Sequence, residues 1–342
     1  MTTTHGVSIL EPQARLAVRC VEDLVGLVPY LIGFHPTESL VAMVIEDSQV
    51  VVTARVDLVA VTERGVLGDL VTRLFDRFPR AEGWFFAFTD EHDLAWSTLG
   101  ECAALVGVTR LGRVLQVGRE SWRADHPDGA TGSLDGATSA VAAQAAVLGM
   151  PARASRQALA ESITGPPDTE IDELVRVFDE EAAALAGLTP GGRGRRLRRL
   201  LRGRQPDLRD QAQLALLVAE GDGMLTVLRE LSRETADDQL ALFTGVVRHS
   251  LLSHQAMPLG LLGMAAWQAG DGALQMVCLE RLDLLDPELP LAGILEWLNH
   301  EVLPPGEWPV LRRPLLSLLS EGATGRFPPL RAPGSPASPR SR

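Results

Sequence analysis

His35, Glu38 and Ser39 fall within one short corner of the stretch VPYLIGFHPTESLVAMVIED, Val28 to Asp47, and are the first residues in the chain that could do chemistry together. A histidine can take the proton of a serine hydroxyl and make it a nucleophile. Arg55 and Asp57 follow in an alternating segment and share a face with Thr53. One reading joins all five as the site of a lysine-independent hydrolase or transferase. The other gives Glu38 and Ser39 turn and strand-entry hydrogen bonds, and Arg55 and Asp57 a surface cross-strand role. There is no GxSxG elbow, and no third group to orient the histidine can be inferred.

The second concentration is cationic. Arg193, Arg195, Arg196, Arg198, Arg199, Arg202 and Arg204 lie in GRGRRLRRLLRGR without an acid among them. They could bind phosphate or another anion, on nucleic acid or on a phosphorylated partner. No aromatic residue interleaves them to stack on bases. The same run also reads as a solvated helix face around Leu197, Leu200 and Leu201, neutralised by the chain's own acids. Gly191, Gly192 and Gly194 do not complete a dinucleotide fingerprint, and no strand precedes them.

Several chemistries are excluded. All 32 basic residues are arginine. A Walker-type phosphate loop needs its lysine, and Schiff-base chemistry needs an amine. Cys20, Cys102 and Cys278 are isolated, with no CxxC pair, which fits a reducing cytoplasm better than zinc ribbons or disulfides. The seven histidines include no HExxH. His249 and His254 would lie about 140° apart around a helix and cannot chelate from one face. His300-Glu301 and Asp90-Glu91-His92-Asp93 read as helix-end and loop charges. No metal and no cofactor is expected. The net charge of −12 disfavours general nucleic-acid binding. No run reaches about 18 apolar residues, so no membrane span is expected, and MTTTHGVSIL is not a secretion signal.

The elements that must position these residues are legible from periodicity. Val21, Leu24, Val25 and Val28 mark one face of a helix that kinks or ends near Pro29, with Gly33 as its left-handed terminator. Leu40–Ile45 is an unbroken apolar run, a strand covered on both faces. Glu46-Asp47-Ser48-Gln49 is a turn. In Val50–Asp57, Val50, Val52, Ala54 and Val56 alternate with Val51, Thr53, Arg55 and Asp57, which completes a hairpin. A helix over Leu67–Phe78 capped at Thr62, a strand at Gly83–Phe88, a helix around Ala95–Val106, a strand at Arg113–Val117 and an edge strand near Trp122 follow. Beyond Ala137 only helical spacing recurs, over approximately 138–149, 153–163, 169–186, 194–203, 208–219, 222–233, 237–252, 257–269, 272–285, 288–302 and 308–320.

Certain of these segments resemble a known family. VPYLIGFHPTESLV, ARVDL at Ala54–Leu58, SAVAAQAAVLG at Ser139–Gly149, LRD at Leu208–Asp210 and MAAWQAGDGAL at Met264–Leu274 are similar to an actinobacterial domain of unknown function, family 4192. The resemblance runs over most of 16–305 and implies no reaction, substrate or cofactor. Its members carry cysteines after the last sheet strand. SWRADHPDGATG, Ser121–Gly132, has none, so a metal or redox role is not carried over there.

The expected architecture is α+β. A flexible leader (1–15) precedes a mixed α/β domain (16–125), then a loop (126–136), an all-helical domain (137–320) and a disordered tail (321–342). Within the helical part, Leu259, Leu262-Gly263, Ala266, Gly270, Leu279, Leu282 and Pro287 have tetratricopeptide-like spacing, although Gln275 stands near a place where alanine is usual. The expected function is a cytoplasmic, non-enzymatic protein-interaction or small-ligand-binding module with an unknown protein partner. The hydrolase at the His35–Ser39 corner and nucleic-acid association through Arg193–Arg204 are the alternatives.

Overall fold

The computed structural model of the chain describes residues 6–8, 20–134, 140–148, 150, 152–203 and 206–321. Most of the leader, Arg204 and residues 322–342 of the tail lie outside them. The architecture is α+β, a mixed sheet followed by helices.

The sheet runs β1 (Gly6–Ser8), β3 (Gln49–Asp57), β2 (Ser39–Glu46), β4 (Glu82–Phe88), β5 (Leu111–Val117), β6 (Ser121–Ala124) and β7 (Thr131–Ser133) across its width. Only β4 and β5 are parallel; the other neighbours are antiparallel. The expected hairpin is β2–β3, and Asp47 and Ser48 both take positive φ (51° and 62°) at its turn. That is the backbone twist which suits a two-residue hairpin. Two strands lie where the sequence reading had none: β1 within the leader and β7 within the Asp125–Ala137 loop. Neither is long enough to leave an alternating pattern.

Four helices serve the sheet: α1 (Val21–Ile32), α2 (Leu58–Val61), α3 (Val66–Arg77) and α4 (His92–Val106). α1 passes through Pro29 and ends at Gly33, with φ 81°. One lost backbone bond does not stop it, because Leu31 and Ile32 beyond the proline are buried. Thr62 does not cap α3. Its hydroxyl donates back to the Val59 carbonyl (2.7 Å) at the end of α2, and Gly65 precedes α3 instead.

β2 is buried on both faces, as its apolar run requires. Leu40, Ala42 and Val44 point with Val52, Ala54, Val56 and Phe85 into a core shared with α3 and α4. Val41 and Met43 point with Phe86, Leu115 and Val117 to the opposite side, against α1. That second core continues without a break into the helical half, through residues such as Phe178, Leu262 and Leu295. The face carrying Thr53 and Arg55 is therefore not a surface; Thr53 is buried.

The helical half comprises α5 (Ala140–Val147), α6 (Arg156–Glu161), α7 (Ile171–Ala186), α8 (Pro190–Leu201), α9 (Leu208–Ala219), α10 (Gly223–Glu230), α11 (Ala236–Arg248), α12 (Ala256–Ala269), α13 (Gly272–Leu285), α14 (Pro290–His300) and α15 (Trp308–Ser320). Each corresponds to one of the segments read from apolar spacing. The small residues of α12 do permit close packing. A Cβ on Gly263 would stand 2.7 Å from Leu295 Cδ1 and 3.2 Å from Cys278 Cβ.

Gln275 on α13 is fully buried, and neither its amide nitrogen nor its amide oxygen meets a hydrogen-bond partner among the described residues. Burying an unpaired amide costs about 1–3 kcal/mol. Gln275→Met keeps the shape and removes that cost, so it is expected to raise unfolding stability by roughly 1–2 kcal/mol in urea titration. A loss of stability would show that the amide is satisfied.

Candidate functional site

The corner after α1 is built by Gly33, whose left-handed backbone ends the helix and turns the chain. Phe34 then makes a parallel bridge with Arg153: His35 N–H donates to the Arg153 carbonyl (2.9 Å) and Arg153 N–H to the Gly33 carbonyl (2.8 Å). The corner is thereby stitched to the segment leading into α6. Asp271, which caps α13 by accepting from Leu274 N–H at 2.9 Å, also approaches it. Its Oδ1 lies 3.5 Å from where a Cβ on Gly33 would stand. Burial pushes the Asp271 carboxyl above the usual range, opposed by the Leu274 N–H and by Arg153.

Ser39 opens β2 and stands opposite Asp57 on β3 and Phe88 on β4. Its hydroxyl donates to the Thr37 carbonyl (2.6 Å) and accepts from Arg55 Nε (2.9 Å). The Arg55 side chain is 12% exposed and pairs with the largely open Asp57 at 2.5 Å. Its guanidinium lies 5.7 Å from the centre of the Phe34 ring. Burial lowers the Arg55 pKa, and Asp57 pulls it back up. A second pair, Arg156–Glu280 at 2.5 Å between α6 and α13, is close enough for both of its charges to act on Arg55.

The structure therefore brings together Ser39, Arg55 and Asp57 and leaves the other two candidates out. The His35 side chain is exposed, and no described side chain bonds its imidazole. Glu38, at φ 43°, turns the other way and accepts from Thr89 Oγ1 at 2.8 Å. The Ser39 proton is directed at a main-chain carbonyl rather than at a base. Chemically, Ser39 is a bracket for a buried cation.

Glu38 and Thr89 lead to a different place, the carboxyl ends of the parallel strands β4 and β5. Ligands in α/β sheets favour that position. A cleft of about 660 Å³ opens there, lined by Asp90, His92, Gln116, Glu120, Trp122, Arg123 and the residues of β7. Gln116 organises it. Its Oε1 meets Trp96 Nε1 and His92 Nδ1, each at 3.0 Å. An indole N–H can only donate, so that oxygen is an acceptor, and His92 Nδ1 must carry a hydrogen. His92 Nε2 has no hydrogen-bond partner among the described residues. Gln116 was missed in the sequence; the one signal was a polar residue inside the otherwise apolar Val114–Val117. His92 read there as a helix-end charge, and it does begin α4.

In the arginine run, Thr189 caps α8 by accepting from Gly192 N–H at 3.1 Å, with Pro190 at the first helical position. Leu197 and Leu200 are buried. Arg193 pairs with Glu220 (2.5 Å) and Arg196 with Asp210 (2.9 Å), while Arg202 reaches Glu230 only at 4.0 Å. Arg195, Arg198 and Arg199 are exposed and have no partner among the described residues. Arg209 bridges Glu180 and the buried Glu181, so the LRD segment ties α7, α8 and α9 together. No group of three or more His, Cys, Asp or Glu is placed to hold a metal ion among the described residues. No helix among them is long and apolar enough to cross a membrane.

The segments that meet here are those singled out in the sequence. Phe34 and Ser39 come from the first, Arg55 and Asp57 from ARVDL, and Asp271 from MAAWQAGDGAL. α5, which carries most of SAVAAQAAVLG, packs on α1. The family model described as Domain of unknown function (DUF4192) matches residues 22–306. The chain belongs to this family. No curated protein matches it, and no solved structure does. In this DUF4192 chain, three of the five segments thus build one joint between the sheet and the helical half, a fourth lies on the helix that leads into it, and LRD braces the helices elsewhere.

Proposed function

We propose that this DUF4192 protein is a non-enzymatic cytoplasmic binding module, which takes a small polar ligand in the cleft at the carboxyl ends of β4 and β5. The observation that carries this reading is the state of the Ser39 hydroxyl, engaged as donor to Thr37 and as acceptor from Arg55. A serine so held has no base to activate it. The cleft offers an open volume, a histidine held in place by Gln116, and a tryptophan wall. Three free thiols, two of them buried with pKa values pushed up by burial, support a reducing compartment.

A fluorophosphonate probe tests the chemistry. No labelling of Ser39 is expected; adduct formation lost in Ser39→Ala would establish the hydrolase instead. NMR titration with a panel of small polyols, nucleosides and amino acids tests the cleft. Shifts are expected at Asp90–Asp93 and Gln116–Arg123, and binding confined to other residues would refute the placement.

A further inference from the structure

The seven arginines of the run are not equivalent once folded. Arg193 and Arg196 turn toward α9 and its neighbours, where Glu220, Asp210 and Gln213 hold them. Arg195, Arg198, Arg199 and Arg202 fall at i, i+3, i+4 and i+7, which places them on one stripe of the helix. All four are exposed. The first three have no ionic partner among the described residues, and Arg202 has only Glu230 at 4.0 Å. The guanidinium of Arg195 lies back over Gly191, and that of Arg198 over Gly194, one turn earlier. Like charges at these spacings repel by a few tenths of a kcal/mol per pair. Arg198 and Arg199 gain from the carboxyl end of the helix dipole, which that repulsion offsets, and the stripe goes without ionic partners in a protein whose net charge of −12 could have supplied them.

We propose that this stripe docks an acidic segment of a partner protein, one with carboxylates spaced by a helical turn. The rungs are about 5–6 Å apart, the separation of carboxylates on a facing helix. Each guanidinium can grip a carboxylate in a two-pronged bond. The stripe is only about 10 Å long. A few carboxylates fill it, whereas a nucleic-acid strand would run on over a surface that is acidic overall. Nor is there an aromatic side chain in the stripe to stack on a base. This surface is separate from the β4–β5 cleft, and its test is independent of that reading.

The full chain is titrated by fluorescence anisotropy against a labelled oligoglutamate peptide and a single-stranded oligonucleotide of equal charge, at low and physiological salt. The triple variant Arg195→Gln, Arg198→Gln, Arg199→Gln is compared with a control that loses the same charge elsewhere, Arg64→Gln, Arg248→Gln, Arg313→Gln. The peptide is expected to bind, and the stripe variant to bind it roughly tenfold more weakly, with a Tm close to that of the parent, because lost repulsion and lost helix-dipole attraction offset each other. The control variant is expected to bind as the parent does. Equal weakening by both variants, tighter binding of the oligonucleotide, or no peptide binding at low salt would each overturn the proposal.

Discussion

Trp308→Ala is expected to lower unfolding stability by about 4 kcal/mol, the largest loss for a single truncation in the helical half. Trp308 is among the largest fully buried side chains. Its ring meets Trp267 edge to face, with centroids 5.8 Å apart at 78°. Its indole N–H donates to the Leu231 carbonyl (2.9 Å), so α15 is pinned to the end of α10. Trp267 makes the matching bond to the Leu303 carbonyl at 2.9 Å, on the segment leading to α15. Truncation opens a cavity the size of an indole, loses the aromatic pair and leaves a buried carbonyl unpaired. Trp308→Phe keeps most of the area but not the N–H, and should cost about half as much. Urea unfolding followed by circular dichroism reads both. A loss below about 1 kcal/mol for the alanine variant would mean that the segment after α14 is not held this way.

Arg55→Ala is expected to cost about 3 kcal/mol. The side chain is 12% exposed, so its stem packs in the core while its head is held by Ser39 and Asp57. Removing it takes away the contact with Phe34 and leaves the buried Ser39 hydroxyl without its donor. Part of the loss is returned, because a guanidinium no longer has to be desolvated. Arg55→Met separates the two contributions. It keeps the stem and removes the charge, and should cost only about 1 kcal/mol. If methionine proved as harmful as alanine, the charge would matter more than the packing.

Most of the scaffold was legible because it is written in apolar spacing. The unbroken run Leu40–Ile45 and the alternation from Val52 specify β2 and β3 almost to the residue, but a bulge opposite Val44 and Ile45 puts Val50 on the other face from Val52 and Val51 on the same one. Most helices of the second half follow from a stripe such as Ile171, Leu174 and Phe178. β1 and β7 were not legible, since three residues carry no period. The polar residues were harder. Arg55 and Thr53 read as a surface face because alternation shows which residues share a side, not what covers that side. Here α1 and the helical half cover it. His35, Glu38 and Ser39 are neighbours in sequence, yet the turn at Glu38 sends one carboxylate to Thr89 and one hydroxyl to Arg55. Sequence proximity said nothing of those directions. Gln116 became visible only when the parallel strands placed it beside His92.

The assignment of the corner as a joint rests on the bond between Ser39 and Arg55, and a double-mutant cycle measures it directly. Ser39→Ala, Arg55→Met and the double variant are unfolded in urea beside the parent. Their free energies are expected to depart from additivity by about 1 kcal/mol, with the double variant less destabilised than the sum of the singles. Additivity within about 0.3 kcal/mol, with Ser39→Ala leaving stability unchanged, would contradict it and return Ser39 to the list of candidate nucleophiles.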